Sequence, residues 1–337
     1  MLKQVTMAAT GLVLGLSITA QAGTLEDVQK RGAVSCGIST GLAGFSQKDE
    51  KGNWSGIDVD VCRAVAAAVL GDASKVQYKP LTAKERFTAL QSGEVDMLSR
   101  NTTWTLTRDA SLGLNFVGVN YYDGQGFMVS KNLGVSSVND LDGATVCIQA
   151  GTTTELNLAD YFRAHGMEYT AITFDTSDQT RAGFESGRCD VLTSDQSQLY
   201  ALRIGLQKPE NAMVLPEVIS KEPLGPVVRQ GDDAWFNIVK WSLAAIIEAE
   251  YLGISSATAA TAAKSGTPEQ KRLLGSDGDA GSKLGLSADW ANNIVSQVGN
   301  YSEVFERNVG SGSPLKIARG LNAQWNKGGI MYSNPIR

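Results

Sequence analysis

Leu90-Gln-Ser-Gly-Glu-Val-Asp-Met-Leu-Ser-Arg-Asn101 is echoed later in the chain by Phe184-Glu-Ser-Gly-Arg-Cys-Asp-Val-Leu-Thr-Ser-Asp195. Each copy reads as a helix end, a Ser-Gly stop, a short buried strand, and polar residues where the strand exits. A repeat of about a hundred residues is too long for a solenoid unit and points instead to two similar α/β lobes. In open α/β sheets, ligands bind beyond the carboxyl ends of the strands. Two facing lobes would therefore bring Asn101 and Asp195 to one shared cleft.

Bulk features limit the function classes. The chain has 337 residues, 30 basic and 35 acidic. Residues 1–22 read as a secretory signal: Lys3, an apolar run over 8–20, and a small-x-small cleavage site at Ala20-Gln21-Ala22. With Lys3 removed, the formal charge of −5 becomes about −6, which argues against a nucleic-acid partner. No later stretch approaches the apolar length of a membrane-spanning helix. The expected product is an exported soluble protein starting near residue 23.

Export makes disulfides the default fate of Cys36, Cys62, Cys147 and Cys189. Three pairings are possible. Two cysteines fall in each proposed lobe, so Cys36–Cys62 and Cys147–Cys189 are the expected pairs. There is no Cys-x-x-Cys, and His165 is the single histidine, so no metal site is expected.

Strands are expected over 34–38, 76–78, 95–99, 145–149 and 191–193. Helices are expected over 58–70, 83–91, 155–164 and 234–252, with Asp58 as a cap and Gly71, Gly166 and Gly253 as stops. Thr152 and Glu155 have capping-box spacing. Further helices are expected over 267–275, 287–296 and 313–326, packing back onto the first lobe. The organisation that follows is residues 23–122 plus 229–337 as a discontinuous lobe one with a helical C-terminal extension, and 123–228 as lobe two. Two crossovers, near 121–126 and 224–230, make a hinge plausible on physical grounds.

The polar run Ser99-Arg-Asn-Thr-Thr-Trp-Thr-Leu-Thr-Arg108 follows a buried strand. Arginine offers a planar fork matched to a carboxylate. Across the cleft, Gly151-Thr-Thr-Thr-Glu155 opens a helix whose free amides favour an anion. Asp195 can take a cation. A ligand bearing a carboxylate beside an ammonium, an α-amino acid, satisfies all three.

These motifs resemble those of the amino-acid-binding periplasmic proteins of ABC importers, solute-binding protein family 3. The general L-amino-acid or glutamate/glutamine/aspartate/asparagine branch is the most similar. Gly56-Ile-Asp-Val-Asp-Val-Cys-Arg-Ala64, Asn101–Arg108, Gln149–Glu155, Arg188–Asp195 and Trp325-Asn-Lys-Gly-Gly-Ile-Met-Tyr332 carry the resemblance across the mature chain. It implies a two-lobed type II periplasmic binding fold. It also implies that Arg108 binds the α-carboxylate, with amide help from Thr103 and Thr153, and that Thr152 belongs to the ligand-binding set. Asp195 would bind the α-ammonium, assisted by a carbonyl near Asn101. Ser39 stands where shorter relatives often hold an acidic residue. Leu42 and Ala83 stand where many relatives place aromatic rings, which leaves Trp104, Phe45 and Tyr122 as candidate apolar walls.

The implied function is capture of a free L-amino acid in the periplasm by a monomer and delivery to a membrane permease, without cofactor or catalytic residue. The competing reading is an exported dehydratase or lyase on the same scaffold. It lacks a positioned acid or base: His165 stands alone at a helix end, and Ser194 has no base partner.

Overall fold

A computed structural model describes residues 23–337. The expected signal over 1–22 lies outside the described residues. Two five-stranded sheets organise the chain. In sheet one the order is Val76–Leu81, Val34–Ser39, Met97–Leu98, Val227–Arg229, Leu114–Phe116; in sheet two it is Tyr169–Phe174, Ala144–Gln149, Val191–Asp195, Gln125–Ser130, Ala212–Val214. The first three strands of each sheet are parallel, and the fourth is antiparallel to its neighbours. The echoed strands Met97–Leu98 and Val191–Asp195 hold the same central place in their sheets. Their carboxyl ends therefore face the same kind of crevice, as the repeat implies.

The first lobe is discontinuous. Val227–Arg229 returns to sheet one, and the helices Asp233–Tyr251, Trp290–Val298 and Tyr301–Asn308 share one core with helix Ile57–Leu70. Trp235 and Trp290 are fully buried there, and Trp235 Nε1 donates to the Asp96 carbonyl at 3.0 Å. Burying each large apolar side chain contributes about 1.5–3 kcal/mol. Sheet two buries separate clusters on its two faces, around Phe127 and Phe162 on one and Leu199 and Leu202 on the other. The disulfide Cys36–Cys62 ties the first strand to helix Ile57–Leu70, and Cys147–Cys189 ties Ala144–Gln149 to the turn before Val191–Asp195.

The crossovers form a two-stranded antiparallel ribbon, Tyr121–Asp123 against Glu222–Leu224. The second crossover strand precedes the expected stretch because Val227–Arg229 is already paired inside sheet one.

Several local expectations need correction. The cap of helix Ile57–Leu70 is Gly56, not Asp58. Gly56 has φ 130°, and a Cβ there would lie 2.0 Å from the Phe45 carbonyl oxygen, so only glycine fits. The Thr152–Glu155 spacing does not make a capping box: Thr152 Oγ1 donates to the Gln149 carbonyl, and Glu155 accepts from the Gly151 amide. No long helix occupies 313–326. Only short 3-10 turns occur, at Gly320–Asn322 and Trp325–Lys327, in a segment punctuated by Pro314 and Gly320. A helix that the sequence reading omitted, Tyr301–Asn308, is announced by a complete Asn300–Glu303 capping box.

Candidate ligand-binding site

The lobe-one wall of the cleft is built on Asp58. Its carboxylate accepts from the Asn101 amide at 2.8 Å, the Ser99 hydroxyl at 3.2 Å and Asn120 Nδ2 at 3.3 Å. This holds Asn101 at φ 33°, a conformation that asparagine tolerates better than most residues. Burial pushes the Asp58 carboxyl up to about 6, against the pull of those hydrogen bonds.

Three arginines converge behind this loop. Arg108 Nη1 donates to the Thr103 carbonyl at 2.9 Å, and its guanidinium lies 5.2 Å from the Phe87 ring centroid. Arg86 lies against the same ring at 4.8 Å. It donates to Thr102 Oγ1 at 3.3 Å and across the cleft to the Gly151 carbonyl at 3.4 Å, while its buried Nε has no partner among the described residues. Arg100 uses Nε on the Leu81 carbonyl and Nη1 on Asn101 Oδ1. All three are buried, and burial holds each guanidinium below its ordinary value, Arg100 at about 10. The mutual repulsion of the three adds to the effect at Arg86.

Lobe two answers with acceptors. Asp195 ends strand Val191–Asp195, is 7% exposed, and its carboxylate makes no hydrogen bond among the described residues. Burial raises its pKa well above the ordinary carboxylate value. The nearby carboxylates of Asp123 and Glu222 push the same way, and Arg86 and Arg108 oppose them. Helix Thr153–Ala164 opens towards the cleft. Thr153 Oγ1 donates to Glu222 at 2.8 Å and lies 3.5 Å from Thr103 Oγ1 of the opposite lobe. The lobes also meet through Asn101 Nδ2 and Gln198 Oε1 at 3.2 Å and, at the rim, through the Lys84–Asp175 ion pair. The cleft is closed.

The narrow space between the lobes is lined by Arg86, Arg100, Asn101 and Thr103 from lobe one. Thr152, Thr153, Asp195 and Gln198 line it from lobe two. A larger hollow of about 620 Å³ lies around Phe184 and Leu206, at the amino end of the echoed lobe-two strand. It lies at the opposite end of the strands from their carboxyl exits, so size does not make it the site.

Of the residues expected at the site, Asn101, Thr103, Thr152, Thr153 and Asp195 reach this space. Arg108 stands beside it, bonded to Thr103. Ser39 is buried, with its amide 3.4 Å from Ser46 Oγ, and Trp104 is 38% exposed and stacks on Phe116. Leu42 and Phe45 belong to the lobe-one core. The sequence reading missed Arg86, Arg100 and Gln198. Arg100 lies inside the echoed stretch, between Ser99 and Asn101, and its position past the strand end was a usable signal. Arg86 had none, being one polar residue in a short helix.

Known proteins resemble this chain in sequence and fold. The model of the bacterial extracellular solute-binding proteins, family 3, matches residues 34–256. The general L-amino acid-binding periplasmic protein AapJ of Rhizobium johnstonii is 57% identical over 98% of this chain and 97% of its own. The glutamate/glutamine/aspartate/asparagine-binding protein BztA of Rhodobacter capsulatus is 53% identical over 98% and 97%. A solved ABC transporter/periplasmic binding protein from Brucella ovis with glutathione bound is 57% identical, covers 94% of this chain and 100% of its own, and superposes with a TM-score of 0.92. With two echoed lobes, a discontinuous first lobe and opposed charges across the closed cleft, the chain belongs to the bacterial extracellular solute-binding proteins, family 3.

Proposed function

We propose that the chain captures a free L-amino acid in the periplasm as a monomer and presents it, cleft closed, to the permease of an ABC importer. One observation carries this reading: a buried Asp195 without a hydrogen-bond partner among the described residues faces buried guanidiniums across the same small space. Isolated buried charges cost several kcal/mol each unless paired. A zwitterion pairs both at once, its ammonium on Asp195 and its α-carboxylate on the Arg108–Thr103 side with the amide of Thr153. Arg86 and Arg100 leave donors for an oxygen-bearing side chain. This agrees with the acidic and amide ligands named for one relative and the broad L-amino-acid range named for another.

Binding without catalysis fits the site better than the dehydratase reading. His165, the single histidine, is exposed at the far end of helix Thr153–Ala164, stacked on Tyr161. It cannot serve the cleft as an acid or base.

The test is a thermal-shift panel on protein stripped of ligand by unfolding and refolding, with the twenty L-amino acids and glutathione. A bound ligand raises the melting temperature by mass action. The reading predicts upward shifts with L-amino acids, the largest with side chains carrying oxygen acceptors. Folded protein that responds to none of them would overturn it.

A further inference from the structure

The first crossover is not a free linker. Asn120, Tyr121 and Tyr122 are each held by a different residue of the segment that follows the family match. The buried Tyr301 hydroxyl donates to the Asn120 carbonyl at 2.8 Å. The Tyr121 ring stacks on Phe305, 6.1 Å between centroids and nearly parallel, with Phe45 edge-on at its other side. The Asn322 side chain takes both backbone groups of Tyr122: its Oδ1 accepts from the amide at 2.7 Å, and its Nδ2 donates to the carbonyl at 3.0 Å.

The Asn322 contact does the work of a third strand. In the crossover ribbon, Tyr122 faces Pro223, which has no amide to donate. An amide side chain carries a donor and an acceptor side by side, so it can satisfy a peptide N–H and C=O together. Arg319 binds these parts into one body. It donates to both Glu250 carboxylate oxygens and to the Asn322 carbonyl, and its guanidinium covers the rings of Tyr301 and Phe305 at 5.2 and 4.9 Å.

One residue further on, the partners change. Asp123 accepts from the Gly124 amide and from Ser197, both in lobe two. On the return strand Glu222 accepts from Thr153 and Asn157 of lobe two, whereas Leu224 accepts from the Asn120 amide and bridges Thr103 of lobe one.

We propose that the C-terminal extension, through Tyr301 and Asn322, is a brace that fixes the lobe-one half of the hinge and confines lobe movement to the steps 122–123 and 222–224. Tyr301 and Asn322 are positioning residues and do not touch the ligand space. The brace goes beyond the binding reading. With it in place, the ligand-free protein samples few lobe orientations, and the competent one is well populated. Without it, the binding-competent fraction falls and apparent affinity falls in proportion.

The experiment compares wild type with Asn322→Ala, Asn322→Asp, which keeps only the acceptor, and Tyr301→Phe, which removes one oxygen. Small-angle scattering gives the radius of gyration without ligand. Stopped-flow tryptophan fluorescence with L-glutamate gives the rates, and thermal melting reports folding. The brace predicts a larger ligand-free radius in Asn322→Ala and Tyr301→Phe and L-glutamate affinity weaker by about three- to tenfold. Asn322→Asp should be intermediate. A purely structural role would lower the melting temperature and leave radius and affinity unchanged. Folded variants with wild-type radius and rates overturn the proposal, and Tyr301→Phe decides alone if the Asn322 variants do not fold. If wild type ignores L-glutamate, the amino-acid reading fails, but the ligand-free radii still decide the brace.

Discussion

Asp195 concentrates the energetic tension of the molecule. A carboxylate without hydrogen-bond donors among the described residues, buried beside Asp123 and Glu222, holds its proton well above the ordinary range. Asp123, pushed up mainly by burial, sits at about 6. Arg86, Arg100 and Arg108 from lobe one and Tyr121 from the hinge face this trio. An incoming ammonium favours the ionised form of Asp195, so binding lowers its pKa and expels a proton wherever the site is partly protonated. Affinity should therefore fall as the pH is lowered and Asp195 takes up its proton, with net proton release on binding. Calorimetry in buffers of different ionisation enthalpy checks this; affinity flat in pH with no proton exchange would contradict the placement of the ammonium. The place of Asp195 at a strand exit was legible in the sequence, because it closes the echoed strand. Arg86 was not, because nothing in its spacing reveals that it lies beside Arg108 on one phenylalanine ring.

At the scale of elements, the strand beside the central one in each sheet is stapled into its own lobe. The Cys36–Cys62 bridge closes 26 residues of sequence and Cys147–Cys189 closes 42. Loop-closure entropy gives about 3–4 kcal/mol for each, mostly by restricting the unfolded chain. Replacing either pair by serine should lower urea-unfolding stability by that order, and alkylation of the unreduced, unfolded protein should find no free thiol. Four alkylated cysteines would overturn the pairing. Element positions were readable where the signal was local: the echoed strands, the glycine stop at Gly71, and the Asn300–Glu303 box that went unused. They were unreadable where tertiary partners decide. Asp58 has the look of a cap yet serves Asn101, which its sequence position does not show. The segment over 313–326 has helix-like composition, but its polar groups serve the hinge and the helix Asp233–Tyr251.

For the whole molecule, the buried charges that line the cleft are complementary across it. Lobe one supplies cations and lobe two anions, so each face alone leaves buried charge unpaired, and a zwitterion between them stabilises closure by its differential contacts. The repeat in the sequence revealed two lobes and their shared cleft. The identity of the facing side chains depended on how the lobes meet, which no spacing encodes. The central claim is that one amino acid is held by Arg108 on one lobe and Asp195 on the other. Titration calorimetry of L-glutamate into stripped wild type, Arg108→Ala and Asp195→Ala tests it most directly. The account predicts clear binding by wild type and at least about a hundredfold loss in each variant, the cost of leaving one buried charge unpaired, with folding intact by thermal melting. Near-wild-type affinity in either folded variant would contradict it.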